Sequence, residues 1–331
     1  MKKGLSLILI IAVFCIPVSV YSASYASVQM LYQHKGIEAP YTELDGHNYR
    51  IVYEVDEAEE VNLYYLTRDG KNICEIEEGG YYSEIVALGK ILYLSSIDVI
   101  YKLEKDKLVE FAEVGGYIHQ MITNGKDLYA STGEHPNNSW NYSGYEATFY
   151  KVTPNGTCTT YGKTTFMGYD TPYFAVNADG DRLAYAEHCG SGVTVQKPDG
   201  TEYCQRTKDY YEYDDYSVDS VIYYGNCLIA SVRGSLVYYD EKNVRHTLMG
   251  DMRGDRWWKE SVRKQPGGED AWPVKSGTGD KVRLGYAFNW TIGSDGYIYG
   301  TTMVSWDIWH IFKLKIPESV KTVKTYKKLK E

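Results

Sequence analysis

One phrase recurs through this chain and limits what it can fold into. It reads Gly89-Lys-Ile-Leu-Tyr-Leu-Ser95, Gly125-Lys-Asp-Leu-Tyr-Ala-Ser131, Gly180-Asp-Arg-Leu-Ala-Tyr-Ala186 and Gly225-Asn-Cys-Leu-Ile-Ala-Ser231. A shorter copy is Asp295-Gly-Tyr-Ile-Tyr-Gly-Thr301, and the first copy is Gly46-His-Asn-Tyr-Arg-Ile-Val-Tyr53. In each, a turn residue opens a short apolar run, which reads as the second arm of a hairpin. After most copies comes another apolar run closed by a tight turn, as in Val61 to Gly70, Val99 to Asp106, Phe149 to Gly156 and Val193 to Gly200.

The aromatic position of the phrase serves as a ruler. It falls at Tyr53, Tyr93, Tyr129, Tyr185, Ile229 and Tyr299, with steps of 40, 36, 56, 44 and 70 residues. A unit of about forty residues built from short strands is a four-stranded propeller blade. No stretch carries a helical period, so the longer steps require insertions. The expected fold is all-β, a β-propeller of six blades of four antiparallel strands, with seven blades as the alternative. In the first blade the strands are Tyr41 to Leu44, Tyr49 to Val55, Asn62 to Leu66 and Asn72 to Ile76. The sixth blade has three, Ala287 to Ile292, Tyr297 to Thr302 and Trp309 to Leu314. Its fourth comes from Val28 to Gln33 near the N-terminus or from Val320 to Tyr326 near the C-terminus. Closure matters because an open ring leaves strand edges exposed.

These repeats, with strand c ending in an Asp-Gly or Asn-Gly turn, resemble six-bladed propellers of the TolB and NHL kind. They are also similar to secreted bacterial propeller domains of unknown function. The resemblance covers about residues 39 to 315. It implies a fold and nothing catalytic, because the shared motifs are structural.

The ends read differently from the ring. Lys2 and Lys3 precede an apolar run from Leu5 to Val18, and small residues follow at Ser22, Ala23 and Ser24. Residues 1–24 therefore read as a bacterial signal peptide, with an uncleaved anchor or a lipoprotein at Cys15 as rivals. The propeller is placed at 25–317, with an insertion at about 250–285, and 318–331 reads as a solvated basic tail. The net charge of −9 becomes −11 without Lys2 and Lys3, which argues against nucleic acid as a partner. Membrane contact is expected only through the signal segment or the tail. Cys189 and Cys204 flank a hairpin and form the best local disulfide pair, although buried free thiols explain the cysteines equally well.

Blade topology sorts the connections onto two faces. The a–b and c–d turns are short, whereas the b–c and d–a connections carry the insertions. Long loops on a rigid scaffold are where recognition concentrates. The insertions hold the candidate binding residues Trp140, Tyr142, Tyr211, Tyr213, Trp257, Trp258 and Trp272; Trp306 in the short b–c loop of the last blade and Tyr169 and Asp170 just before an inner strand join them on the same face. Aromatic rings among hydrogen-bonding side chains suit sugars or a protein surface; the competing reading has these rings buried in a local core. Tyr117, His119, Tyr173 and Asp219 rim the axial channel on the same face. Catalytic candidates are thin. Glu134-His135 and Glu187-His188 could act as base and orienting carboxylate. Asp209, Glu212, Asp214 and Asp215 could hold Ca²⁺ through carboxylates, although a solvated acidic loop explains them as well. No cofactor is implied. The sequence favours a secreted, monomeric, non-enzymatic binder of a protein or carbohydrate at the cell exterior. A propeller-type lyase, lactonase or glycosidase acting at the funnel is the alternative.

Overall fold

The computed structural model describes residues 26–35, 40–56, 61–76, 84–133, 145–166, 173–186, 193–200, 203–206, 218–232, 235–242, 244–250, 276–279, 282, 284, 287–305 and 308–325. Its strands fall into six antiparallel sheets. β1 (Ser27–Lys35) is followed by blade 1, with β2 (Tyr41–Leu44), β3 (His47–Asp56), β4 (Val61–Arg68) and β5 (Lys71–Glu75). Blade 2 holds β6 (Ile85–Leu88), β7 (Ile91–Ser96), β8 (Val99–Glu104) and β9 (Lys107–Glu113). Blade 3 holds β10 (Ile118–Thr123), β11 (Leu128–Thr132), β12 (Tyr145–Val152) and β13 (Cys158–Phe166). Blade 4 holds β14 (Tyr173–Val176), β15 (Leu183–Ala186), β16 (Val193–Gln196) and β17 (Tyr203–Arg206). Blade 5 holds β18 (Val218–Tyr224), β19 (Cys227–Val232), β20 (Ser235–Tyr239) and β21 (Arg245–Met249). After the two-residue β22 (Gly277–Thr278), blade 6 is built from β23 (Ala287–Ile292), β24 (Ile298–Ser305) and β25 (Ile308–Lys315).

β1 is the outer strand of blade 6. It runs antiparallel to β25 from Ser27↔Lys315 to Lys35↔Ile308, and β22 adds a short fifth strand beyond it. The N-terminal candidate therefore closes the ring. The inner strands β2, β6, β10, β14, β18 and β23 touch in that order, and β23 touches β2. The protein is a six-bladed β-propeller.

The ring is held by six apolar seams, each shared by two neighbouring blades. Leu66 and Leu94 lie in the seam of blades 1 and 2, Tyr93 and Met121 in that of 2 and 3, and Tyr129 and Phe174 in that of 3 and 4. Val195 and Val237 join blades 4 and 5, Ile229 and Phe312 join 5 and 6, and Tyr41 and Tyr299 join 6 and 1. Alternate residues of a strand face opposite sides of its sheet, so every blade contributes to two seams.

This alternation corrects the ruler at one mark. Tyr93 and Tyr129 stand four residues after the phrase glycine, whereas Tyr185 stands five after Gly180. Ala184 is the equivalent position, and it faces blade 5. Tyr185 faces blade 3, where its hydroxyl accepts from Thr164 Oγ1 at 2.9 Å. A shift of one residue moves a side chain to the other face.

The serine of the phrase is buried too. Ser95 Oγ accepts from the Glu84 N–H at 3.0 Å, so the second strand satisfies the backbone where the first begins. Turn chemistry also follows the sequence. Asp69 and Gly70 at the β4–β5 turn have φ of 51° and 79°, the left-handed pair that a two-residue hairpin loop requires.

The predicted solvated tail is corrected over its first half. After β25 comes one helical turn, α1 (Glu318–Lys321), and both Val320 and Thr325 are buried. A periodic apolar residue in a basic segment was the available signal.

Candidate functional site

Each inner strand starts on the face that carries the long connections and ends at the short a–b turns. At the starting end, three inner strands are bulged. The pairing register skips His119 in β10, Asp219 in β18, and Asn289 with Trp290 in β23. A bulge inserts a residue that the neighbouring strand cannot pair and re-aims its side chain. Asn289 also has φ of 50°, which an asparagine tolerates better than most residues. The bulges recur at one level of the ring, so they shape its mouth.

Aromatic rings occupy that mouth. Tyr173 of blade 4 meets Phe288 of blade 6 with centroids 5.4 Å apart, and Phe288 meets Trp309 at 6.2 Å. The first contact bridges two blades over the inner edge of blade 5. Tyr117 packs edge-on to His119 at 5.5 Å beside it. Beneath the rings, Gln120 Oε1 accepts from the Phe174 N–H at 2.8 Å and ties blade 3 to blade 4. The Ser131 and Ser220 hydroxyls, both fully buried, have no hydrogen-bond partner among the described residues.

The channel below is apolar and narrow. Val86, Ile122, Val176, Ile222 and Ile292 line one narrow part of it, where the open volume is about 10 Å³, room for roughly one water. It widens at the a–b turns into a cavity of about 190 Å³ beside Leu88, Gly89, Asn124, Gly225 and Ser294. That opening lies on the face opposite the insertions.

The polar groups around the second opening are used by the fold. Glu43 is buried, and its carboxylate accepts from Gly46 N–H at 2.5 Å, Asp295 N–H at 3.0 Å and Ser294 Oγ at 2.9 Å. This joins blade 1 to blade 6. Asn124 Nδ2 donates to the Asn177 carbonyl at 3.1 Å, and Asn177 Nδ2 donates to Asn226 Oδ1 at 3.0 Å, which links blades 3, 4 and 5. Burial alone would raise the Asp295 carboxyl, but hydrogen bonds from Lys313, Tyr299 and the Tyr297 N–H outweigh it and lower its pKa. These groups hold blades together and present little unsatisfied chemistry to a ligand.

Among the described residues, no three His, Cys, Asp or Glu side chains come together as metal ligands, and no helix is long and apolar enough to cross a membrane. The sequence-derived candidates fall elsewhere. Trp140, Tyr142, Tyr169, Asp170, Tyr211, Tyr213, Trp257, Trp258, Trp272 and Trp306 lie outside the described residues. So do Glu134, His135, Glu187, His188, Asp209, Glu212, Asp214, Asp215 and Cys189, as well as the side chain of Cys204 and residues 1–24. Of the channel-rim residues, Tyr117, His119 and Tyr173 are brought to the mouth as expected. Phe288, Gln120 and Asn289 join them. Sequence reasoning missed these three because their roles depend on bulges, which leave no mark in an apolar pattern. Cys74, Cys158 and Cys227 are free thiols, and burial pushes each of them up.

No protein-family model matches the chain, and no characterised protein matches it in sequence. Among solved structures it is similar to a luciferin-regenerating enzyme, with 11% identity and a TM-score of 0.49 over 92% of this chain and 99% of that one. It is also similar to the calcium-binding protein regucalcin of Agrobacterium tumefaciens, with 8% identity and a TM-score of 0.48 over 87% and 96% of the two chains. A chain of a nidogen/laminin complex matches at 14% identity and a TM-score of 0.40, over 64% of this chain and 78% of its own length.

Proposed function

We propose that this propeller is a non-enzymatic binding scaffold, placed at the bacterial cell exterior, that takes a protein or glycan partner on its insertion-bearing face as a monomer. One observation carries the reading. The axial mouth on that face is bridged by Tyr173 and Phe288, and the channel beneath has room for about one water. A substrate has little space directly beneath those rings, so on this face recognition falls to the mouth's aromatic surface and to the loops around it. Aromatic side chains give large contact areas at low entropic cost. The signal-like pattern of residues 1–24 supports the exterior location.

The test is a deletion of Gly254 to Val274 bridged by a short Gly-Ser linker. It stops there because Ser276 accepts from the Met30 N–H and β22 pairs with β1. Intact and deleted proteins are compared on glycan and surface-protein arrays. Lost binding with unchanged β-rich circular dichroism is expected. Equal binding by both proteins sinks the proposal.

The three bulges favour a second reading, an enzyme acting at the mouth, because bulges are enriched beside active sites. Ca²⁺ held by loop carboxylates would belong to that reading. A melting temperature that rises with Ca²⁺, together with turnover of a sugar lactone or glycoside, would replace the first reading with this one.

A further inference from the structure

The segment after β25 turns back over the end of blade 5. Val320 and Thr325 are buried there and Val323 is half-buried, while Ser319, Thr322 and Lys324 are exposed. Val320 and Val323 pack against the apolar seam of blades 5 and 6. α1 has no side-chain cap, and its Lys321–Glu318 pair lies at the surface.

Thr325 makes the attachment. β19 and β20 pair as far as Ile229↔Tyr238, and no pair joins Leu228 to Tyr239. The Thr325 hydroxyl sits in this gap. It accepts from the Leu228 N–H at 2.9 Å and donates to the Tyr239 carbonyl. The Thr325 N–H donates to the Asn226 carbonyl at 2.9 Å. One hydroxyl therefore takes both roles of the missing rung between strands b and c. Cys227, next to Leu228, is fully buried, with its thiol 4.0 Å from the Leu228 carbonyl.

We propose that the cleft between Leu228 and Tyr239 is a peptide-binding slot, filled in cis by the chain's own C-terminal segment and able to exchange it for a peptide of pattern Val-x-x-Val-x-Thr. The chemistry selects that pattern. Two valines enter the apolar seam three residues apart, and a hydroxyl two residues later both accepts and donates. Valine in place of Thr325 keeps the shape and takes the hydroxyl away from the Leu228 N–H, which is the costly outcome for a buried backbone donor. Among the described residues 317–325 the segment joins no ladder and only Val320 and Thr325 are buried, so it opens locally, well before the blades separate.

The experiment inserts a protease site between Ile316 and Pro317, cleaves the folded protein and removes the released segment. Alkylation of Cys227 is then followed by mass spectrometry of the peptide that carries it, which keeps the other cysteines out of the readout. Without the segment, Cys227 should alkylate at least ten times faster while circular dichroism is retained. A synthetic peptide of residues 317–331 should restore protection saturably, and the same peptide with Thr325→Val should not. In the uncut chain, T325V should raise the Cys227 rate in the same direction. The proposal is overturned if Cys227 alkylates only at denaturant concentrations that unfold the whole ring. It is also overturned if the peptide protects with and without its threonine hydroxyl, or not at all. A cleaved protein that unfolds outright also counts against it, because the segment would then be part of the core.

Discussion

Glu43 offers the sharpest test of how the ring is closed. Its buried carboxylate takes hydrogen bonds from the N–H groups of Gly46 and Asp295 and from the Ser294 hydroxyl, and among the described residues no lysine or arginine is paired with it. Glu43→Ala orphans all three donors at the junction of blades 1 and 6. Each orphaned buried donor costs about 1–3 kcal/mol, and solvent near the turns recovers part of that. A net loss of about 3–4 kcal/mol is therefore expected for the alanine variant. Glu43→Gln keeps one acceptor oxygen but turns an amide NH₂ toward a donor, so about 1–2 kcal/mol should be lost. Urea unfolding followed by tryptophan fluorescence measures both. The competing view is that burying the charge is itself a burden which the three donors only offset. If that view holds, the glutamine variant should be as stable as the parent or more so. That result, or an alanine variant within about 1 kcal/mol of the parent, refutes the latch.

Four further outcomes follow from the same geometry. Burial pushes the Tyr129 hydroxyl up to about 12, and burial raises Tyr41, Tyr161 and Tyr299 further. The stability linked to these groups is complete below about pH 10, where unfolded tyrosine stays protonated, and is lost as pH rises above it. The last fraction of tyrosinate absorbance at high pH should therefore appear together with loss of circular dichroism rather than before it. Asp69 is lowered by the Asn48 N–H and by His47, and Asp295 is lowered on balance despite its burial. Their contribution is present above the ordinary aspartate value and fades as pH falls below about 4, so Asp295→Asn should flatten the acid limb of a stability–pH curve. Gln120→Ala removes the acceptor of the Phe174 N–H at a buried seam and should cost about 1–3 kcal/mol by thermal or urea unfolding. Phe288→Ala should leave the fold intact and open the axial mouth, seen as faster quenching of Trp309 fluorescence by acrylamide.

The blades were legible in the sequence because a strand needs only a turn residue and a short apolar run to declare itself. β2 and β23 were placed to the residue at both ends. Facing was legible only where the count was right, and the single extra residue before Tyr185 sent that side chain to the other seam. The bulges in β10, β18 and β23 left no signature, since an inserted His, Asp or Asn looks like any polar residue in a strand. Nothing local in the sequence singles out Glu43, Asn177 or Thr325, because their partners lie 251, 49 and 97 positions away. Contacts of that range are set by the closed ring and by nothing local.

The placement of β1 has a consequence in time. The strand that seals blade 6 is made before every other described strand, and its partner residues lie as far off as Ser27 is from Lys315. During synthesis the other blades can form in order from local hairpins, but the ring stays open until β25 exists. Long-range pairing of this kind is slow, and an unpaired edge is prone to capture by other chains. Ring closure should thus be the last and slowest step of folding, and any delay near the end of the chain should be felt at its beginning.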